Sequence, residues 1–439
     1  MNTLCTARPV AAYQASGTKV TQRIHFSTPV NQAEFAEKPQ GLSITLAVLC
    51  IVLVALTLRP AIVSVGPLMP GLLQTFALSH TQAALLTAIP TLLMGLLALP
   101  VPWLARRFGR DRVILVALAV LCVATGLRAF VGSIGLLFLS TVGVGAGIAV
   151  AGALIAGFVK ASYPKQAAML MGVYATALAL GSTVAAALTG PLAVWANNWR
   201  VSAGFWALPA VISFVAWLYI ERKGRSAEQS NITTTPHSMP LRNPTAWLIA
   251  VFFACNNFIF YAYISWIAPM YVDFGRTPTS AGLVLASFTL AFMVANPVFG
   301  LLSRNEDRRV LLAVSSGIAL LGIIATAIAP QAMPFVMIPI IAFGTGGAFT
   351  LGMTLPLDNT KTSGEANAWN AMILLFSYVV AAAGPLLMGY LRDFTGSFHP
   401  SLWLMVGVSL VMVVLTPFLQ PYRARSNVVS TVALQQVPA

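Results

Sequence analysis

Twelve long apolar runs, separated by short polar stretches, make up most of the chain. They lie near 43–72, 80–102, 112–131, 134–158, 167–190, 200–220, 245–272, 279–302, 309–329, 333–357, 367–390 and 401–420. A helix needs about 20 apolar residues to cross roughly 30 Å of hydrocarbon, so each run predicts one membrane-spanning helix. The one long polar break between runs is Glu221 to Asn243, after run six. The pattern therefore predicts an all-α membrane protein with 12 transmembrane helices in two six-helix bundles. Five segments follow: a polar N-terminal tail over 1–41, a bundle over 42–220, a linker over 221–243, a second bundle over 244–420 and a C-terminal tail over 421–439.

Composition agrees. Of the 439 residues, 58% are apolar and 8% charged, where a soluble domain carries about a quarter charged. The formal charge of +14 is spread through short loops and forms no basic face of the kind that binds nucleic acid. It reports topology instead. With the N-terminal tail inside, 20 of the 25 Lys and Arg fall in inner segments and four in outer ones (Arg128, Arg200, Arg276 and Arg392), leaving Arg59 within a span. Such a bias marks the cytoplasmic side, so both termini are expected in the cytoplasm and the chain in the cell membrane. The first apolar run is too long for a signal-peptide core. The tail reads as cytoplasmic, with a transit peptide as the alternative. Cys5, Cys50, Cys122 and Cys255 have no metal or redox spacing, and no cofactor is expected.

The two halves repeat. Thr81–Arg110 against Thr279–Arg308 matches 9 of 30 positions without gaps, including Arg106/Arg304 and Arg110/Arg308. Leu188–Leu192 (LTGPL) pairs with Ala382–Leu386 (AAGPL) at a shift of 194. Parallel repeats of this kind suggest a transporter with its site between the halves at mid-membrane.

Six plus six spans, with a basic loop after span two repeated after span eight, resemble the major facilitator superfamily over roughly 42–420. Within it the chain resembles the cyanate and nitroimidazole transporter branch. The stretches carrying this are Leu58–Pro70, Leu85–Leu99, Leu104–Arg112, Val173–Ser182 and Ala381–Ser397. The resemblance implies alternating access, a cyanate- or nitroimidazole-like solute, and cytoplasmic gating loops at Arg106, Arg107, Arg110, Arg304 and Arg308. The loops depart from the superfamily pattern. Pro102 stands for the first Gly, Arg106 and Arg304 for Asp, and Asp307 for the second Gly, so charge pairing across them must differ.

Arg59 is the only clear intramembrane ion in this reading. Fourteen apolar residues follow it before Gln74, about 21 Å of helix, too far for its side chain to reach the surface. None of the 11 acids lies clearly inside a span, so no fixed carboxylate partner is expected. A guanidinium offers five donors in a planar fork that matches small planar anions. Pro60 cannot donate to the Leu56 carbonyl, which opens the helix beside it. Arg59 is thus the candidate substrate anchor, with a structural buried cation as the alternative.

Asn257 lies 43 residues before Gly300 as Arg59 lies 43 before Pro102, which makes it the counterpart of Arg59 in span seven. Asn257, Tyr261 and Ser265 share one helix face, flanked by Asn256 and Tyr263. Tyr174 in span five, and Asn370 and Tyr378 in span eleven, complete the candidate substrate-binding set, with packing as the alternative for each. Gly143–Gly147 and Gly344–Gly347 read as close-packing positions. No buried acid is available as a proton carrier, so the chain is expected to be a secondary active or facilitative transporter, with uniport, movement of the substrate as its own weak acid, and coupling through another group as the alternatives. The expected partners are a small solute and the bilayer, and the chain is expected to be a monomer. The runner-up is a multidrug or metabolite efflux carrier of the same superfamily. A membrane enzyme or a channel fits less well, because no catalytic motif and no ring of like residues is present.

Overall fold

The computed structural model describes residues 44–162, 166–224, 239–303, 307–360 and 362–421. The N-terminal tail, most of the linker, Arg304 and the C-terminal tail lie outside these residues. The described residues form α1 (Ile44–Leu58), α2 (Pro60–Val63), α3 (Val65–Phe76), α4 (His80–Leu96), α5 (Val101–Phe108), α6 (Arg110–Leu127), α7 (Ile134–Ser162), α8 (Ala167–Trp195), α9 (Trp199–Phe205), α10 (Ala207–Gly224), α11 (Pro244–Asp273), α12 (Pro278–Leu302), α13 (Arg309–Ile328), α14 (Pro334–Asp358), α15 (Ser363–Thr395) and α16 (His399–Leu415), with short 3-10 turns at Arg128–Phe130 and Thr416–Phe418.

Eleven of these helices or helix runs are long and apolar enough to cross a membrane, and the pair α4 and α5 supplies a twelfth. The span expected over 80–102 is bent within this pair. The helix stops at Leu96 and α5 leaves at 66°. Pro100 and Pro102 lack the N–H that continuing the helix would need. α10 runs on through Glu221 to Gly224, into the polar stretch between the bundles. Asn243 then caps α11, its side-chain oxygen accepting from the Thr245 and Ala246 amides.

The apolar core shows where the halves meet. At one end of the bundle a single cluster draws from both halves, with Val65, Met69 and Ala186 packed among Ile264, Ile267, Leu285 and Met388. Towards the other end the core divides in two, one part confined to residues 50–217 and one to residues 246–419. The shared end carries the turns at 77–79, 196–198, 274–277 and 396–398. We call it the Asp393 end, and the contacts below close it.

Across the halves α4 packs on α15, α8 on α12, and α3 on α11. Two glycines make related approaches. A Cβ on Gly190 would come within 2.9 Å of the Pro278 carbonyl, and one on Gly389 within 2.6 Å of the His80 carbonyl. His80 and Pro278 each open their helix and lie 198 residues apart, as Arg106 and Arg304 do. The spatial counterpart of Gly190 is therefore Gly389, and the 194-residue pairing of the two GPL stretches is corrected by five residues. The glycine runs of α7 and α14 pack as the sequence suggests. A Cβ on Gly145 would meet Pro90 Cα at 2.7 Å, and one on Gly346 would meet the Phe292 carbonyl at 2.9 Å.

One polar contact at this end has no counterpart in the other half among the described residues. The Asp393 carboxylate, in the last turn of α15, accepts from the backbone N–H groups of His80 (2.9 Å) and Thr81 (2.8 Å), which start α4. The Thr81 hydroxyl donates to it at 2.7 Å, and His80 Nδ1 lies 2.7 Å away. The first N–H groups of a helix lack partners within it and favour an anion. Ser79 caps the Gln82 amide within the same turn, and a carboxylate from the opposite half takes the two N–H groups before it. At the equivalent start of α12 stands Pro278, which has no N–H to donate.

Candidate functional site

The first span is broken where the sequence places Arg59. Pro60 leaves the Leu56 carbonyl without its i+4 donor, and α1 ends at Leu58. The Arg59 carbonyl takes the Ile62 and Val63 amides at 3.1 and 3.0 Å. Past it the helical path resumes, with the Ser64 N–H on the Pro60 carbonyl at 2.9 Å. Gly181 of α8 lies against the freed Leu56 carbonyl, 2.5 Å from where its own Cβ would be. Only a residue without a side chain lets the two backbones approach so closely. Gly181→Ala is expected to lower the thermal midpoint of the detergent-purified protein, through overpacking of about 1–3 kcal/mol. Gly172→Ala on the same helix meets nothing within 4 Å and is expected to leave that midpoint unchanged.

From this break the Arg59 side chain reaches into a cavity between the halves. The cavity offers about 90 Å³ to the centres of water-sized spheres, several times the roughly 10–15 Å³ that one water needs. Arg59 is half-buried. Its Nη1 donates to the Tyr261 hydroxyl at 2.9 Å, and its Cζ lies 5.9 Å from the Tyr261 ring centroid. Among the described residues it makes no ion pair. One of five N–H donors is taken by a neutral hydroxyl, which leaves a charged fork for a ligand.

The structure brings together some of the expected residues. Arg59, Asn257, Tyr261 and Tyr378 all line the cavity. Asn257 Nδ2 donates to the Ser377 hydroxyl at 3.3 Å, which aims its carboxamide. The Tyr261 and Tyr378 rings meet edge to face, 6.1 Å apart. Tyr261 in turn donates to Met94 Sδ at 3.7 Å, so three helices fix the ring that holds Arg59. Tyr261→Phe is expected to raise KM for the transported solute about three- to tenfold, about the net value of one ordinary hydrogen bond, because the bond lost orients Arg59 and does not touch the solute. The maximal rate should hold within about twofold in an initial-rate assay.

Other candidates lie elsewhere. Tyr174 is buried with its hydroxyl near Gly152 of α7 and is not itself a lining residue, but it lies close enough to Arg59 to interact with it electrostatically; the α8 residues that line the cavity are Ala175, Leu178, Ala179 and Ser182. Asn370 is half-buried on α15 and is not among the lining residues. Ser265 leaves the expected stripe, because its hydroxyl lies 2.7 Å from both the Thr87 hydroxyl and the Tyr261 carbonyl. It is a tie between α11 and α4. Asn256 and Tyr263 are buried, and their side-chain polar atoms have no partner among the described residues.

Sequence reasoning missed much of the wall. Phe260, Phe292 and Phe349 supply flat apolar surface, and Thr289 and Asn296 add polar groups. The Thr350 hydroxyl donates to Asn296 Oδ1 at 3.0 Å, which orients that carboxamide. Asn296 carried a signal like that of Asn257, an amide in an apolar run, strengthened by Pro297 after it. The phenylalanines carried none, since a phenylalanine in lipid and one in a cavity look alike in sequence.

The basic loops are separate from the cavity. Arg106 and Arg107 are exposed, and Arg107 stacks on Trp103 at 5.5 Å. The Arg110 guanidinium lies 4.8 Å from the Phe158 ring centroid. Arg308 pairs with Asp358 at the end of α14 through Nε at 2.6 Å, and also bonds Ser303. Beside it, hydrogen bonds from Arg309 hold the Asp307 carboxyl below its usual pKa.

Arg128 departs most from the sequence reading. Its position in the sequence reads as an outer loop, yet it is 4% exposed, and Arg59 is not the only buried cation. An arginine at the end of a span can turn outward or inward, and spacing does not say which.

Comparison with known proteins fits this geometry. A model of the Major Facilitator Superfamily matches residues 47–381 and 267–436. The cyanate transport protein CynX of Escherichia coli (strain K12) is 30% identical over 80% of this chain and 91% of its own length. The 2-nitroimidazole transporter of the same organism is 27% identical over 83% of this chain and 92% of its own. The nitrite extrusion protein of Bacillus subtilis (strain 168) is 24% identical over 77% and 85%. Among solved structures, a bacterial homolog of the human lysosomal transporter Spinster, inward-facing and occupied, superposes with a TM-score of 0.72 at 19% identity. It covers 85% of this chain and 96% of its own. A D-xylose–proton symporter gives 0.68 at 13% identity, over 86% and 97%.

Proposed function

The chain belongs to the Major Facilitator Superfamily, and from that premise we propose that it carries a small flat anion of the cyanate type by alternating access. It is a membrane transporter of small solutes and not an enzyme. The observation that carries the anion reading is Arg59, a guanidinium in a cavity between the halves with one neutral partner and no carboxylate among the described residues. A cation without an internal counter-ion is suited to take one from the substrate. The relatives support the class, since cyanate and nitrite are small anions and a nitro group also presents oxygens to such a fork. The aromatic walls at Phe260, Phe292 and Phe349 favour a flat solute over a bulky one, against a broad drug-efflux role.

The Lys and Arg bias assigns the Asp393 end to the outside and both termini to the cytoplasm of a plasma-membrane protein. The closed Asp393 end and the divided core at the other end then correspond to an inward-facing form. In this reading the chain works as a monomer, and the bundles over 42–220 and 244–420, joined by the 221–243 linker, rock about the cavity. Tyr174 and Asn370 come to the solute only as the halves move. Arg106, Arg107, Arg110, Arg304 and Arg308 serve the cytoplasmic gate.

The test is uptake by proteoliposomes holding purified protein, with cyanate, nitrite and 2-nitroimidazole each as substrate and as competitor. Saturable cyanate uptake with counterflow, inhibited most by other small anions, is the expected result. Uptake confined to uncharged or bulky cationic solutes would overturn the anion assignment.

A further inference from the structure

Arg128 is a buried guanidinium that the proposed transport step leaves unused. We infer that Arg128 is the positioning residue of the anion site: it braces the broken turn of the first span from behind and so fixes where Arg59 points. The inference rests on the reading of Arg59 as the substrate anchor.

Arg128 follows α6, and that helix packs on α7, α9 and α10 rather than on the cavity. From there its Nη1 donates to the Ala61 carbonyl at 2.6 Å. Nη2 lies 3.5 Å from the Thr141 hydroxyl, which itself donates to the Leu137 carbonyl. Nε has no partner, and among the described residues no carboxylate pairs with the guanidinium. The side chain is 4% exposed, so it is not a surface charge that happens to touch the backbone. Leaving a cation in this environment costs free energy that an apolar side chain would not.

What the cation holds is informative. Ala61 is two residues from Arg59, in the turn Pro60–Val63, directly after the point where Pro60 leaves the Leu56 carbonyl without its donor. That turn lacks the hydrogen bond Pro60 would have made, so it is held less firmly than the helix on either side. The Arg128 fork supplies a charged donor to one of its carbonyls and ties it to α7. Lysine keeps the charge but not the two-armed geometry. The turn that presents Arg59 to the cavity is thus set by a second arginine, 69 residues later in the chain.

The experiment combines kinetics with hydrogen exchange on the full chain in proteoliposomes, with cyanate as the probe. Arg128→Lys is expected to raise KM about tenfold with the maximal rate within about twofold, as displacement of an anchor does. In an Arg59→Lys background the added Arg128→Lys should change KM by less than about twofold, because both substitutions act through one guanidinium. Amides across residues 61–66 should exchange faster in Arg128→Lys, while those of α13 stay as in the wild type. An unchanged KM, a lower maximal rate at constant KM, additive effects in the double variant, or unchanged exchange at 61–66 would each overturn the brace. If Arg128→Lys does not accumulate, Thr141→Val, which removes the weaker of the two acceptors, is expected to shift exchange at 61–66 in the same direction, and no shift would overturn it. Failure of the anchor itself is read separately, as cyanate uptake indifferent to Arg59→Ala.

Discussion

Arg59→Ala is expected to reduce cyanate uptake at least 100-fold while leaving the protein folded. The two halves of that expectation come from the same observation. Two charge-assisted hydrogen bonds to a bound anion contribute about 1.5–3 kcal/mol each, and about 1.4 kcal/mol corresponds to tenfold. Arg59→Lys retains the charge and loses the fork, so a loss on the order of tenfold is expected. Folding should not suffer, since Arg59 has no carboxylate partner to be stranded and gives up only its bond to Tyr261. Burying a cation in the membrane interior is itself costly. Arg59→Met should therefore melt at or above the wild-type temperature in detergent. A variant that lost both transport and thermal stability would point to a structural cation instead.

Asp393→Asn is expected to free the end of the bundle that the structure closes. The carboxylate accepts the two first N–H groups of α4 and the Thr81 hydroxyl, and it pairs with His80. An amide keeps at most part of this and turns donors towards donors. Asp393 and His80 side chains are 27% and 24% exposed, so solvent weakens the contact, yet a bias of about 1.4 kcal/mol between two states already changes their ratio tenfold. Leu285→Cys provides the reporter in a cysteine-free background, because Leu285 is fully buried beside Gly66 at this closed end. Asp393→Asn should raise its labelling by a membrane-impermeant thiol reagent about tenfold. Equal labelling with and without the substitution would show that Asp393 does not hold this end shut.

Much of this molecule is written in its hydropathy, because a lipid solvent allows few folds and makes every polar group in a span conspicuous. Arg59, Pro60 and Asn257 stand out in apolar runs, and all three sit at or beside the cavity. The parts that stayed hidden share a cause: sequence gives a residue's height in the membrane but not its direction. Arg128 at the end of its span reads as an outer-loop residue, and only the packing of α6 against its neighbours turns it inward onto Ala61. Ser265 keeps the helical period of Asn257 and Tyr261, but α4 lies against it and takes it out of the cavity. The corrected pairing of Gly190 with Gly389 is a register question, which repeated small residues leave open until carbonyls are seen opposite them. Phe260, Phe292 and Phe349 could not have been distinguished from lipid-facing aromatics by any local signal.

The claim that a single unpaired guanidinium anchors the substrate is tested most directly by equilibrium binding of cyanate to the purified carrier, wild type against Arg59→Met, at matched ionic strength. Saturable binding by the wild type, displaced by nitrite and weakened at least 100-fold in the variant while its fold and melting temperature persist, is the expected result. Equal affinity of the two proteins for cyanate would contradict it.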